Sequence, residues 1–309
     1  MRNFISNALI IMMLFAAMAV NAQGYTFRVL ANKGNNKVKK AGAAEAVTLK
    51  TGATLNSDDM LISSEGSYIG LMHKTGKTTE VRGASTQKVA EIEKQIKLAS
   101  TSVANRYAQF VMNKMNEEEN TNYRARLNAT GAVSREVGVA AIDVMAPASA
   151  EVLGDKAIVR WVEPASGMEE GDTYTVKIKN IFDEVILEST TDKTSIELDF
   201  TAENMSNDAG LYLVKIYKSD DEEISSGEIG IKKLKPSDKT ELQENLSVLK
   251  QEVSEDSPLN KLIYASFYEE NGLFLDALTK YEEAIKLSPE IEDFQILYES
   301  FLKNSGLTE

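Results

Sequence analysis

The chain contains no cysteine, one histidine (His73), one tryptophan (Trp161) and five prolines in 309 residues. The missing cysteine removes disulfides, thiolate metal sites and thiol nucleophiles together. It also removes the residue on which a lipoprotein anchor is built. With a single histidine and no thiol, the usual transition-metal ligand sets and a Ser-His-Asp triad cannot be assembled from the expected residue types. No glycine-rich phosphate loop is present, since Gly66-Ser67 and Gly76-Lys77 are turn dipeptides. Carboxylate pairs such as Glu169-Glu170 and the Asp220-Asp221-Glu222-Glu223 run fall in expected loops. Solvent there keeps them ionised, which suits neither acid–base catalysis nor an EF-hand spacing. The expectation is a protein without enzymatic activity, cofactor or metal.

Long apolar runs are equally scarce. The longest is Ala8–Val20, thirteen residues that follow Arg2 and precede Val20-Asn21-Ala22. Thirteen residues make about 20 Å of helix, short of the roughly 30 Å of a bilayer core. A basic start, a short apolar run and small residues at its end are the pattern of a secretory signal, with cleavage expected after Ala22. Residues 1–22 are therefore read as a signal peptide and the remainder as exported. An uncleaved anchor or a buried helix is the alternative. The expected location is periplasmic or otherwise exported, in a Gram-negative cell envelope.

Charge is unevenly spread. Residues 23–110 carry 13 Lys/Arg against 7 Asp/Glu, a net of +6, and residues 151–309 carry 16 against 35, a net of −19. The first stretch could meet an anionic wall polymer or lipid surface, or its lysines could form an ordinary solvated face. Nucleic acid is not an expected partner of an acidic exported chain.

Residues 25–83 alternate over Tyr25–Leu30, Ala46–Leu49 and Tyr68–Met72, with turn residues every 8–12 positions. That spacing predicts a compact all-β unit. Gly52, Leu55 and Asp59, then Ser63, Gly66, Ser67 and Leu71, follow a G-x-x-L-x-x-x-D … S-x-x-G-S-x-x-x-L rhythm. In this rhythm residues 23–84 resemble the FecR-type β domain. Regulators of that family place an anti-sigma segment and a membrane helix ahead of the domain. Neither is seen here, so the resemblance implies the fold and not the signalling role. From Ser85, a candidate cap, Val89, Ile92, Ile96, Ala99, Val103, Tyr107 and Phe110 recur at helical spacing. They predict one long amphipathic helix over 85–120, packed inward or onto a partner helix. Residues 121–150, poor in large apolar side chains, read as a linker.

Residues 151–235 return to period two, with about six strands and polar turns between them. The early strand carries Trp161 and a late one carries Tyr212. This layout resembles immunoglobulin-like and fibronectin type III β-sandwiches, in architecture rather than in any disulfide. Trp161 is assigned to the core in preference to a sugar-stacking surface.

Residues 236–309 read as helices. Leu242, Leu246 and Leu249 share one face, Ser257-Pro258 starts the next helix, and Ile291, Phe294, Leu297 and Phe301 form a last stripe. Within 258–289, Ala265, Tyr268, Gly272, Phe274, Ala277, Tyr281, Ala284 and Pro289 fall at the positions of a tetratricopeptide repeat. Small residues let two helices approach, aromatics fill the gaps, and proline stops the second helix. The resemblance implies a helical bundle, and a peptide-binding face on the first helix comprising Leu259, Leu262, Ser266, Glu269 and Glu270. This face lacks the lysines and asparagines that clamp a terminal carboxylate, so an apolar or basic peptide is the expected ligand. The bundle could equally only cap the sandwich. The whole reads as a multidomain α+β protein: a FecR-like β domain with a long helix, an Ig-like sandwich and a TPR-like bundle. The expected function is a non-catalytic scaffold for protein partners, and the alternative is an envelope sensor or wall-binding module using the basic β domain.

Overall fold

The computed structural model describes residues 24–96, 102–120, 142–205, 210–235 and 237–307; the expected signal segment and most of the expected linker lie outside them. The fold is mixed α+β, with four sheets and six helices among the described residues. Two compact units emerge, one of residues 24–74 and 80–96, the other of residues 75–79 and the described residues from 102 onward. Among the described residues no helix is long and apolar enough to cross a membrane.

The first unit holds β1 (Phe27–Lys33), β2 (Lys37–Lys39), β3 (Val47–Thr48), β4 (Thr54–Leu55), β5 (Met60–Ser63), β6 (Tyr68–His73), residues 80–82 of β7 (Thr78–Arg82), β8 (Ser85–Lys88) and α1 (Val89–Lys94). One sheet runs β4-β1-β6-β7 and the other β3-β2-β5-β8. Phe27, Val29, Leu55, Ile69 and Leu71 meet Val38, Leu49 and Leu61 in a single core, closed by Val89 and Ile92 of α1.

The residues of the rhythm noted above have definite structural work. Gly52 adopts φ 80° and donates its N–H to Val29 at 2.8 Å. The buried Asp59 carboxylate accepts from Asn56 N at 2.8 Å, Ala41 N at 3.1 Å and Lys40 Nζ at 2.8 Å. Three donors on one buried carboxylate tie the 40–41 turn to the 56–59 turn. Gly34, at φ 100°, has no room for a side chain, because a Cβ would lie 2.8 Å from that of Ser67.

The single helix expected over 85–120 is not present. Ser85–Lys88 is β8, paired with β5 from Met60↔Lys88 to Ser63↔Ser85. Val89–Lys94 is a short helix, and a separate helix α2 runs Ser102–Asn120. A polar strand of sequence STQK shows no apolar alternation, so only its non-local pairing reveals it.

The second unit contains β9 (Asp143–Val144), β10 (Ser149–Val152), β11 (Lys156–Val162), β12 (Tyr174–Lys179), β13 (Val185–Thr191), β14 (Ser195–Asp199), β15 (Leu211–Lys218), β16 (Asp221–Ser225) and β17 (Ile229–Lys233). One sheet is ordered β10-β17-β15-β12-β13, with β16 on β15, and the other β14-β11-β9. The pairings are antiparallel except β10–β17, which is parallel. The two sheets share one core containing Val159, Trp161, Val176, Ile178, Tyr212, Val214, Ile216 and Ile231. Trp161 is buried edge-on to Tyr174, with ring centroids 5.3 Å apart. Ile142, Val144, Ala146 and Ala150 are buried in the same core. The β portion therefore begins by residue 142 and not at 151, because buried alanines are invisible to a reading that seeks large apolar side chains.

Helices α3 (Thr240–Glu252), α4 (Pro258–Glu270), α5 (Phe274–Leu287) and α6 (Glu292–Asn304) follow. Ser257 caps α4 by accepting from Asn260 N at 3.2 Å, and Pro258 occupies its first turn. Gly272 at φ 73° ends it: Gly272 N donates to Glu269 O and Leu273 N to Tyr268 O, the paired bonds of a Schellman motif. Leu275 of α5 belongs to the sandwich core, so sheets and helices form one body.

Candidate docking surfaces

The helical face anticipated from the sequence begins on α4. Leu259, Leu262 and Ser266 are buried. Glu269 and Glu270, which end the face, are engaged by α2. Lys114 pairs with Glu269 Oε1 at 2.5 Å, and both side chains are largely buried. Arg106 reaches Glu270 Oε2 at 2.9 Å. Tyr107 of α2 packs edge-on against Phe267 at 5.1 Å and accepts a bond from Asn271 Nδ2 at 3.3 Å. Ala104, Tyr107, Ala108, Val111, Met112 and Met115 are the buried stripe of α2, which packs on α3, α4 and α6. A helix of the same chain, apolar with flanking basic residues, thus lies against a face whose composition called for an apolar or basic peptide.

The repeat positions are used for packing. Ala265, Ala277 and Ala284 are buried without exposure where α4 meets α5. Tyr268 and Tyr281 are also buried, and Tyr281 stacks on Phe301 at 5.0 Å while its hydroxyl donates to Glu269 Oε2 at 2.7 Å. Phe274 faces Phe301 at 6.3 Å, Gly272 forms the turn, and α5 ends two residues before Pro289.

Charges that could serve chemistry are instead spent on structure. Lys261 and Lys280 each bridge Glu255 and Glu283, at 2.9 and 2.6 Å and at 2.6 and 3.0 Å respectively. Burial opposes ionisation of both glutamates, yet hydrogen bonds from the two lysines outweigh it and hold both below the usual carboxylate range. Arg160 of β11 pairs with Glu282 of α5 at 2.6 Å. Asp276, in the first turn of α5, accepts the Leu153 N–H at 3.2 Å, on a β10–β11 turn whose carbonyls are held from below by Lys233 Nζ. Burial pushes Asp276 up to about 6, against the opposing pull of the Leu153 and Gly154 N–H groups and of Lys233 and Lys280.

In the first unit His73 is buried, 3.2 Å from Glu93 Oε1 and edge-on to Phe27 at 5.3 Å. Ser57 Oγ donates to Glu93 Oε2 at 3.3 Å and is 2.8 Å from Thr26 Oγ1. The serine thus approaches the carboxylate and not the imidazole, which is not the order of a nucleophilic triad. Among the described residues no group of three or more His, Asp or Glu side chains is arranged to hold a metal. Lys37 and Lys39 are exposed on either side of the buried Val38 in β2, with Lys33 and Lys50 also exposed.

A different surface was not singled out from the sequence. The β12–β13 turn projects Ile181, Phe182 and Val185, exposed by 61%, 77% and 54%. The turn is fixed by Asn180, whose Oδ1 accepts from Phe182 N at 2.9 Å and Glu184 N at 3.1 Å, and whose Nδ2 donates to Glu184 Oε2 at 2.7 Å. Lys179 closes it on Asp183 at 2.7 Å. An apolar pair set between Asn180 and a left-handed Asp183, at the end of two alternating strands, is the signal that would have found it.

No protein-family model matches the chain, and no curated protein matches it.

Proposed function

We propose that the protein is a non-catalytic scaffold of the cell envelope that binds protein partners. In this reading it is exported through cleavage after Ala22 and composed of a FecR-like β domain, an Ig-like sandwich and a TPR-like helical bundle. The observation that carries the reading is the β12–β13 tip: two large apolar side chains held in solvent by a turn that Asn180 makes rigid. Exposed apolar groups on a preorganised loop cost little ordering on association and are the usual anchors of an interface. The ion pairs of the second unit support the same reading, since they join its own elements. Placing a photo-crosslinking residue at position 182 of the exported chain, in cells, should yield an adduct of one discrete mass, absent when the same residue replaces the exposed Glu223. Equal labelling at both positions, or none, would refute it. The export step is checked separately by the N-terminal residue of the mature chain, expected to be Gln23.

A second reading is favoured by the exposed Lys33, Lys37, Lys39 and Lys50: the first unit binds an anionic wall polymer or lipid surface. Sedimentation with peptidoglycan that weakens as salt rises, and is lost in a Lys37→Glu/Lys39→Glu variant, would favour it over the first.

A further inference from the structure

Helix α2 is held to the helical bundle by its partners more than by its own sequence. Its first turn has no acidic residue and its last turn no basic one. Neither end therefore carries a charge that would complement the helix dipole. A 19-residue helix without complementary end charges is marginal when undocked. What stabilises it is the face it meets, through the buried stripe from Ala104 to Met115, the Tyr107–Phe267 contact, and the pairs Lys114–Glu269 and Arg106–Glu270. The stripe uses two alanines and two methionines, side chains that adapt to a surface without interlocking deeply. Along the chain, α2 is separated from β9 by residues 121–142 and from α4 by more than 130 positions. Its docking closes a long loop toward α4, an entropic cost that the contacts of the face must offset.

We propose that the α3–α4–α6 face is a helix-binding site, that α2 is its resident ligand, and that a partner helix of the same chemistry exchanges with it. The partner is an amphipathic helix with an apolar stripe of small residues, methionine and one tyrosine, flanked by two basic residues eight positions apart. That spacing is the one between Arg106 and Lys114, the residues that engage Glu270 and Glu269. The identification rests on charge complementarity. The α4 face ends in two acidic side chains, and the largely buried Lys114–Glu269 pair leaves a costly unpaired carboxylate unless another cation replaces the lysine. The proposal depends on the scaffold reading only in supposing that the cell supplies such a helix; the exchange itself is a property of the purified chain.

The test uses the full chain and a fluorescein-labelled peptide of residues 102–120, followed by anisotropy. A chain carrying Arg106→Glu and Lys114→Glu should bind the peptide at least about tenfold more tightly than the unaltered chain, whose resident helix competes. Peptide bearing Lys114→Glu should lose that gain. If the altered chain unfolds cooperatively yet binds both peptides alike, or neither, the proposal is wrong. Hydrogen exchange on the unaltered chain is the independent measure. The α2 amides should exchange at least about tenfold faster than those of α4, by local opening. Equal protection would make α2 an integral helix and overturn the proposal whatever the charge-reversed chain does. Failure of crosslinking at Phe182 with successful peptide exchange would count against the scaffold reading alone.

Discussion

Asp276 joins the helices to the sandwich with an acid that burial disfavours in its charged form, and the consequence is a stability that depends on pH in an unusual direction. Its folded pKa of about 6 lies above the ordinary 3.8. At about pH 3 and below the group is largely protonated whether the chain is folded or not, and there is little penalty. At about pH 7 and above it is ionised in both states, and the folded state bears the full cost. A difference of a little over 2 pH units corresponds to about 3 kcal/mol, so this residue's contribution falls by nearly that amount as pH rises from about 3 to about 7. Asp276→Asn removes the titration. Asparagine keeps an acceptor for the Leu153 N–H but sets an amide among backbone donors, at a cost of about 1 kcal/mol. The variant should therefore approach about 1 kcal/mol less stable than the parent near pH 3 and be about 2 kcal/mol more stable at pH 7. Urea unfolding followed through Trp161, the only tryptophan and a member of the sandwich core, measures this directly. A difference between the two proteins that stays constant from pH 4 to 7 would show that burial of Asp276 does not control its ionisation. A difference of opposite slope would show that the backbone N–H groups dominate.

Gly34→Ala combines φ 100° with a Cβ contact of 2.8 Å at Ser67 and should cost about 2 kcal/mol or more in calorimetry. Gly66→Ala, at φ 65° with open space around it, should cost only about 1 kcal/mol. Asp59→Ala strands the Asn56 and Ala41 N–H groups and should lower the stability of the first unit by about 2–4 kcal/mol. Phe182→Ser removes no buried contact and should leave unfolding unchanged within about 0.5 kcal/mol, so any loss of partner binding is a loss of the surface itself.

How far the sequence foretells these features depends on whether the cause is local. The alternation of β1, β11, β12 and β15 follows the burial of every second side chain, and each was legible. The turns at Gly52, Gly66 and Gly272 were legible for the same reason, since positive φ is a property of one residue. The stripe from Val89 to Phe110 misled because two different surfaces continue in similar phase. Val89 and Ile92 belong to the β core, while α2 turns Ala104, Tyr107, Ala108 and Val111 inward and leaves Val103 and Phe110 half-buried. Alanine carries little hydrophobic signal but is the residue that permits close helix contact, so the true stripe was one position out of register with the visible one. The partners of Glu269 and Glu270 stand 155 and 164 residues away, and no pattern in α4 names them. What α4 did disclose was the sign of its need: two terminal acids beside apolar positions require a cation on an apolar support.

That need connects the charge distribution to the mode of binding. Residues 151–309 carry a net charge of −19, and most of the acidic side chains lie on strands, turns and helices that face solvent. Such a field exerts no net pull on residues 102–120, whose sequence holds two basic against three acidic residues. The field cannot hold the helix, because exposed pairs contribute little. Retention falls to the few side chains at which charge and apolar contact coincide, namely the Lys114–Glu269 pair beside Tyr107 and Phe267. A peptide with the cations but without the apolar stripe would thus leave quickly, whereas an apolar helix without the cations would leave Glu269 buried without a counter-charge, held only by the Tyr281 hydroxyl. Specificity for an amphipathic helix with two placed cations follows from requiring both, and α2 supplies both in Arg106 and Lys114 beside its apolar stripe.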